Sequence, residues 1–403
     1  MVTSLDPRTL YVAPNALAKH YSRFRVAERL LLTGHSHQAW PDAGFDGQQR
    51  AWLDAAEFVD DKWARAEEQA GVVRDGWRRL LKDPDGDIAL GQNTHELLTR
   101  LLSALPLRTR SRLVTTSGEF HTVRRQLDRL AEVGLEVERV PARPVDLLAD
   151  RLAALVTDKV AAVIVSSVLF ETAEIVPGLG ALADRCDRHG VTLLVDGYHH
   201  LNVVPFDIRA MGLERAFVTG GGYKYCQLGE GNAFLRVPAG CAMRPILTGW
   251  FSEFATRDRR PSGHAVAYGN GAARFAGATY DPTSHYRAAA VFAFHGRTGL
   301  GAELAREVSL HQVGVLQSSV EALDAPRELL EVVAVRPEAR AGFLAIRSER
   351  ADALCAGLRE REVYCDSRGS ILRLGPAPYL SDDQLREAVV RLGDTVRALR
   401  QCS

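Results

Sequence analysis

The feature that most constrains the fold is a regular alternation that begins near residue 85. Short runs rich in leucine and β-branched residues are separated by segments with helical periodicity, of which Val123, Leu127 and Leu130 are an example. The runs span residues 87–90, 112–116, 136–140, 160–165, 191–196, 216–219 and 233–237. Strands and helices in alternation, with nearly continuous apolar strands, are typical of a mainly parallel sheet covered on both faces. The sequence therefore predicts an α/β fold.

The pattern changes on either side of this region. The first part of the chain indicates an extended arm followed by a helix through Trp52 and Trp63. After residue 285, a long helical stretch over 285–323 precedes a mixture of short strands and helices. Predicted strands cover 343–346, 363–366 and 371–374, and predicted helices cover 350–361 and 382–399. We expect residues 1–70 to form an N-terminal arm and helix that belong to the small domain, residues 71–285 a large α/β domain, and residues 286–403 a smaller α+β domain.

Charge and cysteine content exclude several classes of protein. The chain carries 50 Lys and Arg against 50 Asp and Glu, and the sequence shows no local basic patch, so it predicts no nucleic-acid partner. The longest nearly apolar run, 160–170, is far shorter than the roughly 20 residues of a membrane span, and the first residues lack a signal-peptide pattern. The six cysteines have neither disulfide nor zinc spacing. These features predict a cytoplasmic protein with reduced thiols and no membrane partner.

Polar residues at the predicted strand ends are the candidates for chemistry, because ligands of open α/β sheets bind beyond the carboxyl ends of the strands. One strand ends in Asp196, another runs through three glycines into Lys224, and a third leads to Asn93 and Thr94 before a predicted helix. Each residue alone has an ordinary explanation, namely a turn cap, a surface lysine and a helix N-cap. Together they match the needs of pyridoxal 5'-phosphate (PLP), which requires an amine, an anion for its ring nitrogen, and a helix N-terminus for its phosphate.

Two further residues fit the same cofactor. Phe120 follows a predicted strand, where its ring could stack on PLP, although core packing explains it equally well. Arg373 lies on a short strand near the C-terminus, and a guanidinium can bind a substrate carboxylate through two hydrogen bonds. The alternative for Arg373 is an exposed strand residue.

These motifs resemble those of the class V aminotransferase-like, fold-type I PLP-dependent enzymes, and among them most closely those of the kynureninases. The resemblance runs from about Leu31 to Leu399. Its most specific part is an Asp with a His three residues later, together with a Tyr-Lys dipeptide; here these are Asp196, His199, Tyr223 and Lys224. The resemblance implies the fold-type I architecture, an amino-acid substrate, and a homodimer whose active site is completed by the second subunit.

Looser matches assign further residues. Trp250 and Thr279 would contact the phosphate, Thr279 from the neighbouring subunit, and Ser166 and Thr122 would contribute hydroxyls to the cofactor pocket. Arg373 would bind the substrate carboxylate. Departures from the family pattern occur at residues 120–123, where an acidic residue is missing, and at 170–173. These departures leave the identity of the substrate open.

The resemblance also implies a mechanism. Lys224 would carry the cofactor and remove the Cα proton of the substrate, while Asp196 keeps the ring nitrogen charged and Phe120 stacks on the ring. Tyr223 would bind the phosphate and take part in proton transfer. For L-kynurenine, hydrolysis of the Cβ–Cγ bond would give anthranilate and L-alanine, a reaction of tryptophan catabolism.

Other functions remain open at this stage. A cysteine desulfurase or C–S lyase would usually need a cysteine on a mobile loop, and neither Cys226 nor Cys365 lies in such a loop. A class V aminotransferase is compatible with Lys224 and Asp196. A ligand sensor without turnover would need neither Lys224 nor a proton-handling Tyr223.

Two cofactor alternatives are weaker. Residues 178–184 match a dinucleotide-binding glycine pattern but do not follow a strand end. Five histidines could suggest a metal site, but they lack a cluster of carboxylates, so no metal is predicted. They are His35, His37, His121, His199 and His200.

Overall fold

The computed structural model describes residues 5–256 and 265–401. The helices are α1 (Asp42–Phe58), α2 (Lys62–Leu80), α3 (Thr94–Ala104), α4 (His121–Glu132), α5 (Leu148–Ala154), α6 (Leu179–Arg188), α7 (Thr283–Thr298), α8 (Ala302–Glu321), α9 (Ala351–Glu360) and α10 (Asp382–Gln401). The strands are β1 (Leu30–Leu31), β2 (Asp87–Gly91), β3 (Arg112–Thr116), β4 (Glu136–Val140), β5 (Val160–Ser166), β6 (Thr192–Asp196), β7 (Phe217–Gly221), β8 (Ala233–Val237), β9 (Glu331–Val332), β10 (Leu344–Arg347), β11 (Val363–Tyr364), β12 (Asp366–Arg368) and β13 (Ile371–Leu374).

A seven-stranded sheet in the order β2-β8-β7-β6-β5-β3-β4 forms the centre of the fold. Strands β4, β3, β5, β6 and β7 pair in parallel, and β8 runs antiparallel to both of its neighbours. Strands β2 and β7 therefore point the same way. The prediction of an α/β fold with a mainly parallel sheet is confirmed.

Both faces of this sheet are covered, which explains why its strands are apolar throughout. Every residue of β5 is buried. Along it, Val163 and Val165 pack into a cluster with residues of α2, α5, α6 and α7, whereas Ala162 and Ile164 pack on the opposite face against α3 and α4. This alternation follows from the two-residue period of a strand, and covering helices on both faces are the usual environment of parallel strands.

A second, four-stranded sheet lies in the C-terminal part of the chain. Its order is β12-β13-β10-β9, and all of its pairs are antiparallel. The N-terminal arm joins this region, because Leu30 of β1 pairs in parallel with Val363 of β11 and the arm shares an apolar cluster with α8, α9 and α10. Helix α7 crosses residue 285, so that Phe292 packs with the large sheet and Phe294 with the C-terminal cluster. The domain boundaries at residues 70 and 285 stay a prediction.

Two predicted helices are each divided in the structure. The helix predicted through Trp52 and Trp63 is interrupted where Val59 takes a positive φ of 48°. The stretch predicted over 285–323 breaks at Gly299, which has φ 71° and caps α7 through a hydrogen bond to His295. A left-handed residue commonly ends a helix, and glycine takes this conformation without steric cost. Periodicity alone does not register such a break, since the apolar spacing continues across it.

No helix in the described parts of the chain is both long enough and apolar enough to cross a membrane. The glycine pattern at 178–184 follows a loop, since β5 ends at Ser166 and α6 begins at Leu179. This placement differs from the strand-to-helix turn that a dinucleotide fingerprint requires.

We predict that a buried ion pair between the segment after α2 and strand β8 is important for stability. The Asp83 carboxylate accepts a 2.8 Å hydrogen bond from Nε of Arg236 on β8, and both side chains are buried. Asp83→Asn leaves the buried guanidinium without its counter-ion and should lower the free energy of unfolding by about 3 kcal/mol. Urea unfolding followed by circular dichroism measures this change. The matched control is Asp85→Asn, because the Asp85 side chain is 88% exposed; an equal loss in both variants would contradict the prediction.

Candidate active site

A cavity of about 320 Å³ lies where the strand ends of the large sheet meet. Strands β2, β3, β5, β6 and β7 all end at this edge, and each contributes to the wall at or just after its last residue: Gln92, Phe120, Ser166, Asp196 and Lys224. The topology therefore collects residues that are more than 130 positions apart in the sequence. Of the residues predicted for the site, these line the cavity: Asn93, Thr94, Phe120, Thr122, Ser166, Asp196, His199, Tyr223 and Lys224.

Asp196 is the last residue of β6, and its carboxylate borders the cavity. One carboxylate oxygen accepts a 2.8 Å hydrogen bond from the backbone N–H of Tyr198, so the residue also caps the turn that follows. Burial raises the pKa of Asp196, while this hydrogen bond and the charge of Lys224 act in the opposite direction. The carboxylate is thus held in place but lacks a full counter-ion.

Lys224 follows the glycines at the end of β7 and is buried. Its Nζ atom lies 2.5 Å from Nε2 of His199 and 5.3 Å from the centre of the Phe120 ring. Burial, and after it the positive charge of Arg373, lowers the pKa of Lys224 to about 7. A substantial fraction of the amine is therefore neutral at physiological pH, which is the state that a nucleophile or a proton acceptor needs.

The turn that carries Lys224 requires glycine for packing reasons. A Cβ atom on Gly221 would lie 2.4 Å from the hydroxyl oxygen of Tyr198, and one on Gly222 would lie 2.6 Å from Cβ of Leu228. Neither position therefore has room for a side chain. The turn packs closely against its neighbours, and Lys224, which follows it, borders the cavity.

The N-terminus of α3 also faces the cavity. Asn93 is its N-cap, with a side-chain oxygen that accepts a 2.9 Å hydrogen bond from the N–H of Glu96. Glu96 in turn accepts a 3.0 Å hydrogen bond from the N–H of Gln92, in a reciprocal arrangement similar to a capping box. The ordinary N-cap explanation of Asn93 is therefore correct. It is compatible with anion binding, since the positive end of a helix dipole and the Thr94 hydroxyl border the same cavity.

Aromatic side chains form one wall. The rings of Phe120 and Phe170 lie 5.4 Å apart in an edge-to-face arrangement, and both border the cavity. On another side, Tyr223 stacks on His37 with ring centres 4.6 Å apart and lies 5.0 Å from the ring of Tyr198. Flat surfaces of this kind suit a planar ligand.

Three predicted site residues lie outside the cavity. Trp250 is 53% exposed, and its Nε1 donates a 3.3 Å hydrogen bond to the hydroxyl of Thr279, which is also exposed. Arg373 is buried in the C-terminal sheet and donates to both carboxylate oxygens of Asp366, at 2.8 Å from Nε and 2.5 Å from a terminal nitrogen, and to the carbonyl of Phe170 at 2.6 Å. Binding of a substrate carboxylate by Arg373 stays a prediction.

Asp366 and Glu119 were not predicted from the sequence, and His35 was given no role. Burial alone would raise the pKa of Asp366, but hydrogen bonds from His35 and Arg373 and the charge of Arg373 hold it well below its usual range. Burial lowers the pKa of His35 to about 4, so its imidazole is neutral and donates to Asp366 at 2.7 Å. Glu119 is buried behind Ser166. The position of Glu119, three residues after β3 and directly before Phe120, was a signal that it lies near the site, but not that it contacts Ser166.

Within residues 5–256 and 265–401, no three His, Cys, Asp or Glu side chains come together as a group that could bind a metal ion. The residues that border the cavity instead suit PLP. The amine, the carboxylate and the helix N-terminus lie around one space, and no described group hydrogen-bonds the buried Nδ1 of His199.

Comparisons with known proteins agree with this description. Residues 305–392 match the family model of the kynureninase C-terminal domain. The uncharacterized aminotransferase YcbU of Bacillus subtilis (strain 168) is 24% identical over 340 residues, which cover 84% of this chain and 87% of YcbU.

Solved structures with the same fold include two of particular interest. C-DES, a cystine C–S lyase, in a form with glycine covalently linked to its PLP cofactor, gives a TM-score of 0.81 at 18% identity, covering 93% of this chain and 98% of C-DES. The apo cysteine desulfurase of Thermococcus onnurineus NA1 gives 0.78 at 14% identity, covering 99% and 100%. The fold-type I architecture and the resemblance to class V aminotransferase-like enzymes are confirmed, and C-DES, which shares this fold, carries PLP as its cofactor.

The pKa of Lys224 leads to a prediction for the cofactor-free protein. In the unfolded chain the amine keeps its usual pKa near 10.5, so between pH 7 and 10.5 the unfolded state binds more protons than the folded state. The contribution of Lys224 to stability should therefore rise with pH across this window. We expect Lys224→Met to be stabilised relative to the unchanged protein, and more strongly at pH 7 than at pH 9, in urea unfolding. Lys159→Met, on the exposed surface, is the control; the same pH dependence in both variants would refute the assignment.

Proposed function

We propose that this chain, which has the fold of the class V aminotransferase-like PLP-dependent enzymes, is a kynureninase-like hydrolase that holds PLP on Lys224. The observation that carries the proposal is that the amine of Lys224 and the carboxylate of Asp196 border the same cavity, with the N-terminus of α3 at its edge. PLP needs these three groups, and the neighbouring strands β6 and β7 supply the first two side by side.

Bound PLP would supply an electron sink for the carbanion that forms at the substrate Cα. The residues around it have separate tasks. Lys224 accepts the Cα proton, which its lowered pKa of about 7 favours. Asp196 would keep the ring nitrogen protonated, and Phe120, which borders the same cavity, would pack against the ring. His199, within hydrogen-bonding distance of Lys224, orients the amine.

The phosphate would lie at the N-terminus of α3, where Asn93, Thr94 and the helix dipole favour an anion. Thr122, Ser166 and Tyr223 border the same cavity and would complete the cofactor contacts.

We also propose a homodimer. Trp250 and Thr279 are hydrogen-bonded to each other on the exposed surface and lie outside the cavity of their own chain. The same surface exposes Ile246 and Leu247, which are 82% and 55% accessible. A second copy placed here would cover this apolar surface and receive Trp250 and Thr279 at the phosphate of its own site.

The substrate we propose is L-kynurenine or a related amino acid, cleaved between Cβ and Cγ to give L-alanine and an anthranilate-type product. The match to the kynureninase C-terminal domain supports this, because it covers Arg373. The rings of Phe120 and Phe170, which meet edge to face, provide an apolar wall suited to an aryl side chain. Tyr223, which also borders the cavity, would protonate the leaving fragment.

A C–S lyase is the second candidate, since C-DES is a cystine C–S lyase. A desulfurase that uses a protein thiol is less well supported, because no cysteine in the described residues borders the cavity. Cys226, two residues after Lys224, is buried, and burial raises the pKa of its thiol. An aminotransferase remains compatible with Lys224 and Asp196.

For the location we propose the cytoplasm, because the described cysteines are free thiols, including Cys355 and Cys365 with sulfur atoms 3.8 Å apart.

The function is tested by a substrate panel on the PLP-loaded protein. We expect L-kynurenine or 3-hydroxykynurenine to yield anthranilate-type fluorescence together with L-alanine. Borohydride should fix PLP on Lys224, located by peptide mass spectrometry, and Lys224→Ala should abolish both results while Lys159→Ala retains them. Sulfide or persulfide released from cysteine or cystine would favour the lyase, and an amino-group transfer to a keto acid would favour the aminotransferase. Failure to bind PLP would overturn the whole assignment.

Arg373 provides a second test. If it binds the substrate carboxylate, Arg373→Ala should raise KM for the active amino acid at least about thirtyfold, equivalent to about 2 kcal/mol of lost binding. The decarboxylated analogue of that amino acid should bind both proteins with similar Ki. The matched control is Arg368→Ala. Arg368 also pairs with Asp366, with 3.5 Å between a terminal guanidinium nitrogen and a carboxylate oxygen, but its side chain is 40% exposed. An unchanged KM in Arg373→Ala would remove the residue from the substrate site.

A further inference from the structure

Glu119 is a buried carboxyl group behind the cavity wall to which the proposed mechanism gives no task. It is 3% exposed and does not border the cavity itself. Its Oε1 accepts a hydrogen bond from the backbone N–H of Ser166 at 3.1 Å and another from the hydroxyl of Thr116 at 2.9 Å. Its Oε2 lies 2.6 Å from the hydroxyl oxygen of Ser166. Ser166 itself borders the cavity, so its hydroxyl links Glu119 to the cavity wall.

The partners of Oε1 fix where a proton on Glu119 can reside. The backbone N–H of Ser166 can only donate. The Thr116 hydroxyl already accepts a 3.0 Å hydrogen bond from the N–H of Gly118 and directs its own proton to Glu119. Oε1 must therefore act as an acceptor, so a proton on Glu119 can reside only on Oε2, against Ser166.

A hydroxyl has one proton, which makes the direction of the Ser166 bond important. When Glu119 is ionised, Ser166 must donate to Oε2, and its oxygen presents only lone pairs to the cavity. When Glu119 is protonated, Oε2 donates to Ser166, and the serine proton turns toward the cavity. The two states offer a ligand opposite hydrogen-bonding character.

We propose that Glu119 is a positioning residue that sets the Ser166 hydroxyl as a hydrogen-bond acceptor for the cofactor, and that protonation of Glu119 reverses this setting. The inference rests on the proposed function, in which PLP occupies the cavity. PLP carries one donor that an accepting serine can bind, its protonated ring nitrogen, which Ser166 would share with Asp196 because the two residues pair in register at the same edge of the sheet.

The surroundings place this reversal in an accessible pH range. Burial raises the pKa of Glu119 to about 7, the three hydrogen bonds act against the rise, and the charge of Asp196 adds to it. Asp196 faces Glu119 from β6, where it pairs in register with Ser166 of β5, and Thr116 faces it from β3. Above pH 7 the ionised state and the accepting serine therefore dominate.

The test measures the Kd of PLP for the apo-protein. In Glu119→Gln the amide oxygen must take the position of Oε1, where two donors point, so the NH2 group donates to Ser166 permanently. We expect Kd to rise about tenfold at pH 8.5 but to match the unchanged protein at pH 6, where Glu119 is itself protonated. Ser166→Ala should raise Kd similarly at pH 8.5, and the double variant should bind no more weakly than either single one.

The matched control is Glu174→Gln, because Glu174 is also buried and accepts a 2.7 Å hydrogen bond from the Thr172 hydroxyl, but does not border the cavity. Its Kd should be unchanged at both pH values. Additive effects in the double variant, or a Glu119→Gln defect that is the same at pH 6 and 8.5, would overturn the proposal. If Glu119→Gln fails to fold, the ratio of the Kd of Ser166→Ala to that of the unchanged protein decides the question, because the titration of Lys224 affects both proteins equally. A ratio that is near ten at pH 8.5 and falls at pH 6 supports the proposal, and a ratio that is the same at both pH values overturns it. Absence of PLP binding by the unchanged protein would instead remove the proposed function, and with it this inference.

Discussion

The register of three neighbouring strands determines the chemistry of this molecule. Ser166 of β5 lies opposite Asp196 of β6, and Asp196 lies opposite Thr219 of β7. Because these strands run in parallel, their ends coincide, and the segments that follow them must leave the sheet at the same edge. A shift of one residue in β6 would turn Asp196 to the opposite face of the sheet, since side chains alternate along a strand. The position of Asp196 in the site therefore depends on the backbone hydrogen bonds that set this register.

Burial acts on the two main ionisable groups in opposite ways. It makes the Lys224 amine easier to deprotonate and the Asp196 carboxyl harder to ionise, because a charge is disfavoured in either case. Neither group has a full ionic partner at hand, whereas Asp366 and Arg373 in the C-terminal sheet neutralise each other through two hydrogen bonds. The charges of Lys224 and Asp196 are thus available to a ligand, whereas those of Asp366 and Arg373 are paired with each other.

Much of the sheet was predictable because its strands are short, apolar and separated by helices; three of them, β3, β4 and β8, have the predicted bounds. Asp196 and Lys224 were predictable because a polar residue at the end of an apolar strand is conspicuous. Glu119 was not, because its importance comes from Ser166, on a different strand. The contact of Arg373 with Asp366 was equally unpredictable from the sequence, since it depends on the register of β12 with β13. The roles of Trp250 and Thr279 at the phosphate stay a prediction, because their side chains lie on the outer surface of one chain and would reach a phosphate only in a second copy.

The pairing of β1 with β11 joins residues that are made at very different times. Leu30 finds its partner in Val363, and Thr33 bridges Gly375, so these early residues remain without strand partners until the C-terminal region has left the ribosome. At usual rates of synthesis this interval is roughly 20 to 70 s. During it, the apolar segment 30–32, buried in the finished protein, is open to wrong contacts. Residues 363–375 thus protect a segment that is translated much earlier, which makes products truncated before them candidates for chaperone binding and degradation.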